Sequence, residues 1–133
     1  SGLHEAVLAN QYELVERLLK RYPVDTVNHQ GITPLMLAAA QGNVSLINLL
    51  LQHGANVDAT DLQSRSVLHY ALEDKKNLAA ALILLPLIKK PNKPNRKGVT
   101  PLMIAANKGM VSAMHALCEA SHEDVQTFDE QGH

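Results

Sequence analysis

The stretch Gly31-Ile32-Thr33-Pro34-Leu35-Met36-Leu37-Ala38-Ala39-Ala40-Gln41-Gly42 decides how this chain folds. Thr33 is placed to cap a helix, and Pro34 stands at the first helical position, where a missing N–H costs nothing. Gly42 falls where a helix ends in a left-handed residue, and Asn43 can cap a second helix over residues 44 to about 53. On that helix Leu46, Ile47, Leu49, Leu50 and Leu51 supply a broad apolar face, Gly54 ends it, and a polar run leads onward to residue 63. The module is therefore two short antiparallel helices joined by a tight turn, followed by a protruding hairpin-like loop.

The stretch recurs. Gly98-Val99-Thr100-Pro101-Leu102-Met103-Ile104-Ala105-Ala106-Asn107-Lys108-Gly109 is a close copy, and Ser64-Arg65-Ser66-Val67-Leu68-His69-Tyr70-Ala71-Leu72 a weaker one. Leu3-His4-Glu5-Ala6-Val7 opens the chain without the leading turn. Anchored on Leu3, Leu35, Leu68 and Leu102, the spacings are 32, 33 and 34 residues. A period of that length marks a solenoid of stacked supersecondary units.

These residues carry a family resemblance. The Thr-Pro-Leu start, the Ala-Ala pair, the glycine, the leucine-rich run and Gly54-Ala55-Asn56-Val57-Asp58-Ala59 resemble an ankyrin repeat, most closely in 28–60 and in the first half of 95–128. The resemblance spans residues 3–132 and implies an all-α ankyrin-repeat solenoid in one domain, with repeats at about 3–27, 28–60, 61–94 and 95–128. Residues 129–133 read as the opening turn of a further repeat and Ser1-Gly2 as an expression scar, so a fragment of a longer protein is expected.

Composition agrees. Aromatic residues are only 3% of the chain, so the core must be aliphatic, and a net charge of −1 argues against a whole-domain polyanion binder. The single cysteine, Cys118, excludes an internal disulfide framework and fits a reducing compartment, so an intracellular location, cytoplasmic or nuclear, is expected. No apolar run approaches the ~18–20 residues of a membrane span.

Departures from the repeat locate weak joints. Asn10 replaces the inter-helix glycine in unit one, which is tolerable because Asn visits left-handed conformations, whereas Lys75 in unit three does so less comfortably. Unit three should be the least regular. Its second helix, 77–85, carries Ala79-Ala80-Ala81, Pro86 should stop it early, and a Pro-rich connection follows over 87–97. The histidine usual after Thr-Pro-Leu survives as His4 and His69 but is Met36 and Met103 elsewhere, where packing by Met is expected to compensate for a lost hydrogen bond to the threonine.

Few residues point to chemistry. None of the seven histidines pairs as His-x-x-x-His or with a cysteine at ligand spacing, and His69 reads as a structural repeat residue. Cys118 aligns with Leu51 and is expected to be a buried small hydrophobe. Without a Gly-rich phosphate loop, nucleophile elbow or HExxH motif, no catalytic residue, cofactor or metal is expected. The basic run Lys89-Lys90-Pro91-Asn92-Lys93-Pro94-Asn95-Arg96-Lys97 is either a solvated linker or a targeting or polyanion patch. Lacking aromatic platforms beside the lysines, the patch suits an acidic peptide or an importin-like receptor better than RNA.

The resemblance also implies where partners bind: the hairpin tips and the exposed face of each first helix. Carried onto this sequence, these are His29, Gln30, Ile32, Ala40, Gln41 and Thr60 in unit two. Leu62, Gln63, Arg65, Glu73 and Asp74 follow in unit three, and Arg96, Lys97, Val99, Asn107 and Lys108 in unit four. The face runs from apolar (Leu8, Ala9, Ile32, Ala40) through acidic (Glu73, Asp74) to basic (Arg96, Lys97, Lys108), which complements an extended peptide with a hydrophobic anchor and an acidic flank. Arg65, Leu62 and Ile32 are the anchor candidates, since arginine and large apolar groups dominate interface energetics; alternatively, Leu62 and Ile32 pack against neighbouring hairpins. The expected function is noncatalytic protein recognition as a scaffold or targeting segment. The alternative is a regulatory or substrate-recruiting segment of an enzyme or effector.

Overall fold

Every apolar stripe read from the sequence becomes part of a two-layer helical stack. The computed structural model describes residues 2–120. Its helices are α1 (Gly2–Leu8), α2 (Tyr12–Leu18), α3 (Pro34–Gln41), α4 (Val44–Gln52), α5 (Val67–Ala71), α6 (Leu78–Leu84), α7 (Pro101–Asn107) and α8 (111–120). Among the described residues there is no strand. The last part of the repeat expected over 95–128 and the opening turn expected at 129–133 lie outside the described residues.

Helices α1, α3, α5 and α7 pack side by side as one layer, while α2, α4 and α6 form the second, each against the first helix of its own unit. Between the layers lies an aliphatic core in which Leu3, Val7, Leu35, Met36, Leu46, Ile47, Leu50, Leu68, Leu72 and Leu84 are essentially inaccessible. Helix α8 joins it through Ala113 and Leu117. Each fully buried leucine contributes about 1.5–3 kcal/mol, which offsets the weakness of helices too short to be stable alone.

Local signals set the helix ends. Thr33 and Thr100 cap α3 and α7, their hydroxyl oxygens accepting from the N–H of Met36 (3.3 Å) and Met103 (3.2 Å). Asn43 caps α4 by accepting from the N–H of Leu46 at 3.1 Å. The turns after α1 and α3 pass through left-handed Asn10 (φ 57) and Gly42 (φ 67).

Unit three solves the same turn differently. Lys75 is not left-handed; instead Asp74 is extended (φ −131), its carboxylate accepts from the N–H of Lys76, and a 3-10 turn over Lys75–Asn77 leads into α6. A conformation costly for a side-chain-bearing residue is thereby avoided. Helix α6 gives way at Leu84 to a 3-10 turn, Leu85–Leu87, built around Pro86.

Two further expectations need correction. Cys118 is exposed, because its aligned residue Leu51 is itself only half-buried and marks the edge of the apolar stripe. The two methionines differ from each other. The Sδ of buried Met36 accepts from the N–H of Thr33 at 3.4 Å, so the sulfur replaces the imidazole as an acceptor, whereas Met103 is 55% exposed.

Candidate protein-binding face

The site starts from three asparagine or aspartate side chains at repeat spacing. Asn28, Asp61 and Asn95 each accept two backbone N–H groups: from Gln30 and Ile32, from Gln63 and Arg65, and from Lys97 and Val99, all at 2.8–3.0 Å. A short polar side chain here mimics a backbone turn and locks the hairpin tip. Successive tips are then tied together, with Leu62 N–H donating to the Gln30 carbonyl (3.0 Å) and Arg96 N–H to that of Gln63 (2.8 Å). The row of tips is therefore a preorganised edge.

The histidines fasten the same edge to the helices. His4 Nε2 donates to the carbonyl of Ile32 at 2.7 Å, and His69 Nε2 to that of Val99 at 2.8 Å. The Nδ1 of His69 accepts from the N–H of Ser66 at 3.0 Å, which fixes the neutral tautomer. Burial, opposed by the bond to Val99, lowers the His69 pKa.

Asp61 is also the centre of a polar cluster. Its Oδ2 accepts from Tyr70 Oη at 2.6 Å and from Arg65 Nε at 2.8 Å, and the guanidinium carbon lies 5.1 Å from the Tyr70 ring centre. Burial alone would raise the Asp61 carboxyl, but the hydrogen bonds from Tyr70, Arg65 and Gln63 outweigh it and lower its pKa. Tyr70 moves the opposite way, raised by burial and by donating to Asp61. Arg65 thus has its Nε committed inward while its side chain remains 36% exposed.

Between units three and four this edge borders a groove. A cavity of about 260 Å³ lined by Gln63, Arg65, Glu73, Asn95 and Lys97 adjoins one of about 380 Å³ lined by Glu73, Val99, Met103, Ile104, Asn107 and Lys108. Glu73, Lys97 and Lys108 form no ion pair among the described residues, so their charges are available. A larger hollow of about 610 Å³, between Tyr12, Asn43, Ser45 and Asn48, has no charged lining and lies away from the tips.

Of the candidates named from the sequence, Gln63, Arg65, Glu73, Lys97, Val99, Asn107 and Lys108 meet in this groove. His29, Gln30, Leu62 and Arg96 are exposed at the tips. Asp74 is exposed but caps the 3-10 turn, and Gln41 is half-buried with its Nε2 donating to the carbonyl of Leu8 at 2.8 Å, a strut between units. Ile32 is corrected: at 8% exposure it belongs to the core and offers no anchor. Asn95, Met103 and Ile104 were not among the candidates. The i, i+4 pair Met103 and Asn107, one turn apart on the same helix face, was the available signal.

Residues 3–95 match the family described as ankyrin repeats (3 copies), and the chain belongs to that family. It is 37% identical over 112 residues to the ankyrin repeat, SAM and basic leucine zipper domain-containing protein 1 of Ornithorhynchus anatinus, covering 80% of this chain and 23% of that protein. It is 32% identical over 112 residues to the human transient receptor potential cation channel subfamily A member 1, covering 80% of this chain and 10% of the channel. It is 36% identical over 92 residues to palmitoyltransferase AKR1 of Lachancea kluyveri, covering 66% of this chain and 12% of that protein. The chain thus spans less than a quarter of each relative. Ankyrin repeats are noncatalytic protein-interaction modules, and no described helix is long and apolar enough to cross a membrane.

Proposed function

We propose that this chain is an intracellular protein-recognition segment that binds an extended peptide or loop of a partner in the groove between units three and four. The observation that carries this reading is the junction of a locked row of hairpin tips with Glu73, Lys97 and Lys108, which form no ion pair among the described residues, beside exposed Met103. Met103 is the apolar anchor point of the groove, Lys97 and Lys108 meet acidic residues of the partner, and Glu73 rejects peptides that are acidic throughout. Arg65 supports the wall, and the tips at His29, Gln30, Leu62 and Arg96 extend the contact.

A second reading places the same groove in the service of an enzyme or effector, recruiting its substrate or regulating it. It is favoured by the similarity to palmitoyltransferase AKR1, whose name is that of an enzyme.

The test is a crosslinking pull-down from cell lysate with the chain and with a variant carrying Lys97→Glu, Met103→Asp and Lys108→Glu. Arg65 is left intact, since a glutamate there would face Asp61. Circular dichroism checks folding, and the captured protein is identified by mass spectrometry and titrated by calorimetry. Capture that the folded variant loses is the expected result; equal capture by both would sink the groove reading.

A further inference from the structure

The basic connection after unit three is built into the fold rather than draped over it. Ile88 is half-buried against the core and Pro91 is buried. Lys89 N–H donates to Asp58 Oδ1 at 3.1 Å, and Asn92 Oδ1 accepts from the N–H of Leu102 at 2.9 Å. A solvated linker would need none of these. The anchored segment borders an open hollow of about 250 Å³ lined by apolar Val57 and Ile88 and by Lys89, Lys90, Lys93, Thr60 and Ser66. The three lysines are exposed and make no ion pair among the described residues. The acid at the rim, Asp58, has one oxygen engaged by the Lys89 N–H.

This cavity shares no residue with the groove of the proposed function. Arg65 lines the groove and its neighbour Ser66 lines the cavity, so the two hollows meet the same stretch of chain through different residues.

We propose that this cavity is a second docking site, for an acidic linear segment of a partner protein that inserts one apolar side chain over Val57 and Ile88 and lays flanking carboxylates along Lys89, Lys90 and Lys93. Charge complementarity selects the flanks, and the apolar floor separates such a segment from a plain polyanion. The bonds of Lys89 N–H to Asp58 and of Leu102 N–H to Asn92 fix the backbone that carries the lysines before binding, which lowers the ordering cost. The proposal stands whether or not the groove binds a peptide.

The test uses fluorescein-labelled nine-residue peptides with four Asp or Glu residues on each side of a central Leu, Phe or Gly, titrated against the full chain by anisotropy. The Leu or Phe probe should bind more tightly than the Gly probe, with affinity falling as salt rises. A variant carrying Lys89→Glu, Lys90→Glu and Lys93→Glu should weaken binding by about tenfold or more, since three favourable charge contacts become repulsive. These side chains are exposed, so folding should be kept, and an unchanged thermal melt verifies it. Lys20→Glu with Arg21→Glu, at exposed positions outside both hollows, should leave the affinity as it was. No binding, equal affinity for Leu and Gly probes, or binding indifferent to the triple reversal would each overturn the proposal. Stronger binding of a single-stranded oligonucleotide than of the Leu and Phe probes would assign the lysines to nucleic acid and overturn it as well.

Discussion

Units two and three are built on the same repeat and differ in how they are held. Unit two is locally regular: its helices have eight and nine residues, Thr33 and Asn43 cap them, and Gly42 turns between them. Unit three has helices of five and seven residues, reaches its turn through a 3-10 segment, and ends its second helix at another. What it lacks in helix it replaces with polar bonds: the Asp61, Arg65 and Tyr70 cluster, the His69 strut, and Asn77, whose Nδ2 donates to the Ala40 carbonyl at 2.6 Å. Both candidate binding sites border this irregular unit. The shortened helix and the detoured connection leave hollows at the joints of this unit, lined by fixed polar groups together with apolar ones such as Val57, Ile88, Val99 and Ile104.

The comparison breaks most sharply at the aliphatic core of unit two. Leu50→Ala removes a fully buried side chain and should cost about 2–5 kcal/mol in denaturant unfolding, while Leu82→Ala in unit three, 39% exposed, should cost much less. Equal losses would mean that Leu82 is packed as tightly as Leu50.

Unit three should instead fail through its polar cluster. Asp61→Asn removes a buried carboxylate that accepts from two side chains and two backbone groups, and a loss of about 1.5–3 kcal/mol is expected. Because the folded Asp61 pKa is lowered, its contribution is complete above the unfolded value near 4 and is lost as pH falls through the folded value. Urea melts across acidic pH should show a slope that Asp61→Asn flattens.

The joint between the units gives a smaller effect. Gly42 is left-handed, and a Cβ there would collide with the Asn77 side chain, whereas left-handed Gly109 has open space around its Cβ position. Gly109→Ala should cost about 1–2 kcal/mol from conformation alone, and Gly42→Ala more than that. Identical midpoints for the two variants would remove the Asn77 contact from the account.

The smallest difference is carried by pH near neutrality. His69 has a lowered folded pKa, so its contribution is complete above the unfolded value near 6.5 and fades as pH falls below it toward the folded value. His69→Met, imitating Met36, should cost about 0.5–1.5 kcal/mol at neutral pH and abolish that part of the pH dependence. A variant whose stability still tracks pH between about 5 and 7 as the parent does would show that another group is responsible.

The helices, their caps, the left-handed turns at Asn10 and Gly42 and the early stop at Pro86 were legible in the sequence, because each depends on residues within four or five positions. So was the family, since the period and the Thr-Pro-Leu start are one-dimensional. Exposure was not legible. The sequence left Ile32 and Leu62 open between binding anchor and packed residue and expected Met103 to pack, whereas Ile32 is buried and Leu62 and Met103 are exposed. Burial depends on the neighbouring unit: the Ile32 carbonyl is claimed by His4 from the preceding unit, twenty-eight residues away.

The amino-acid sequence by itself therefore determined the solenoid, its repeat register and the residue types along its edge, because local capping, turn chemistry and apolar periodicity suffice for these. Only the tertiary structure decided which candidates converge, which are struts, and where hollows open. These outcomes depend on contacts between units, such as Arg96 with Gln63 and Asn77 with Ala40, that the spacing of one repeat does not encode.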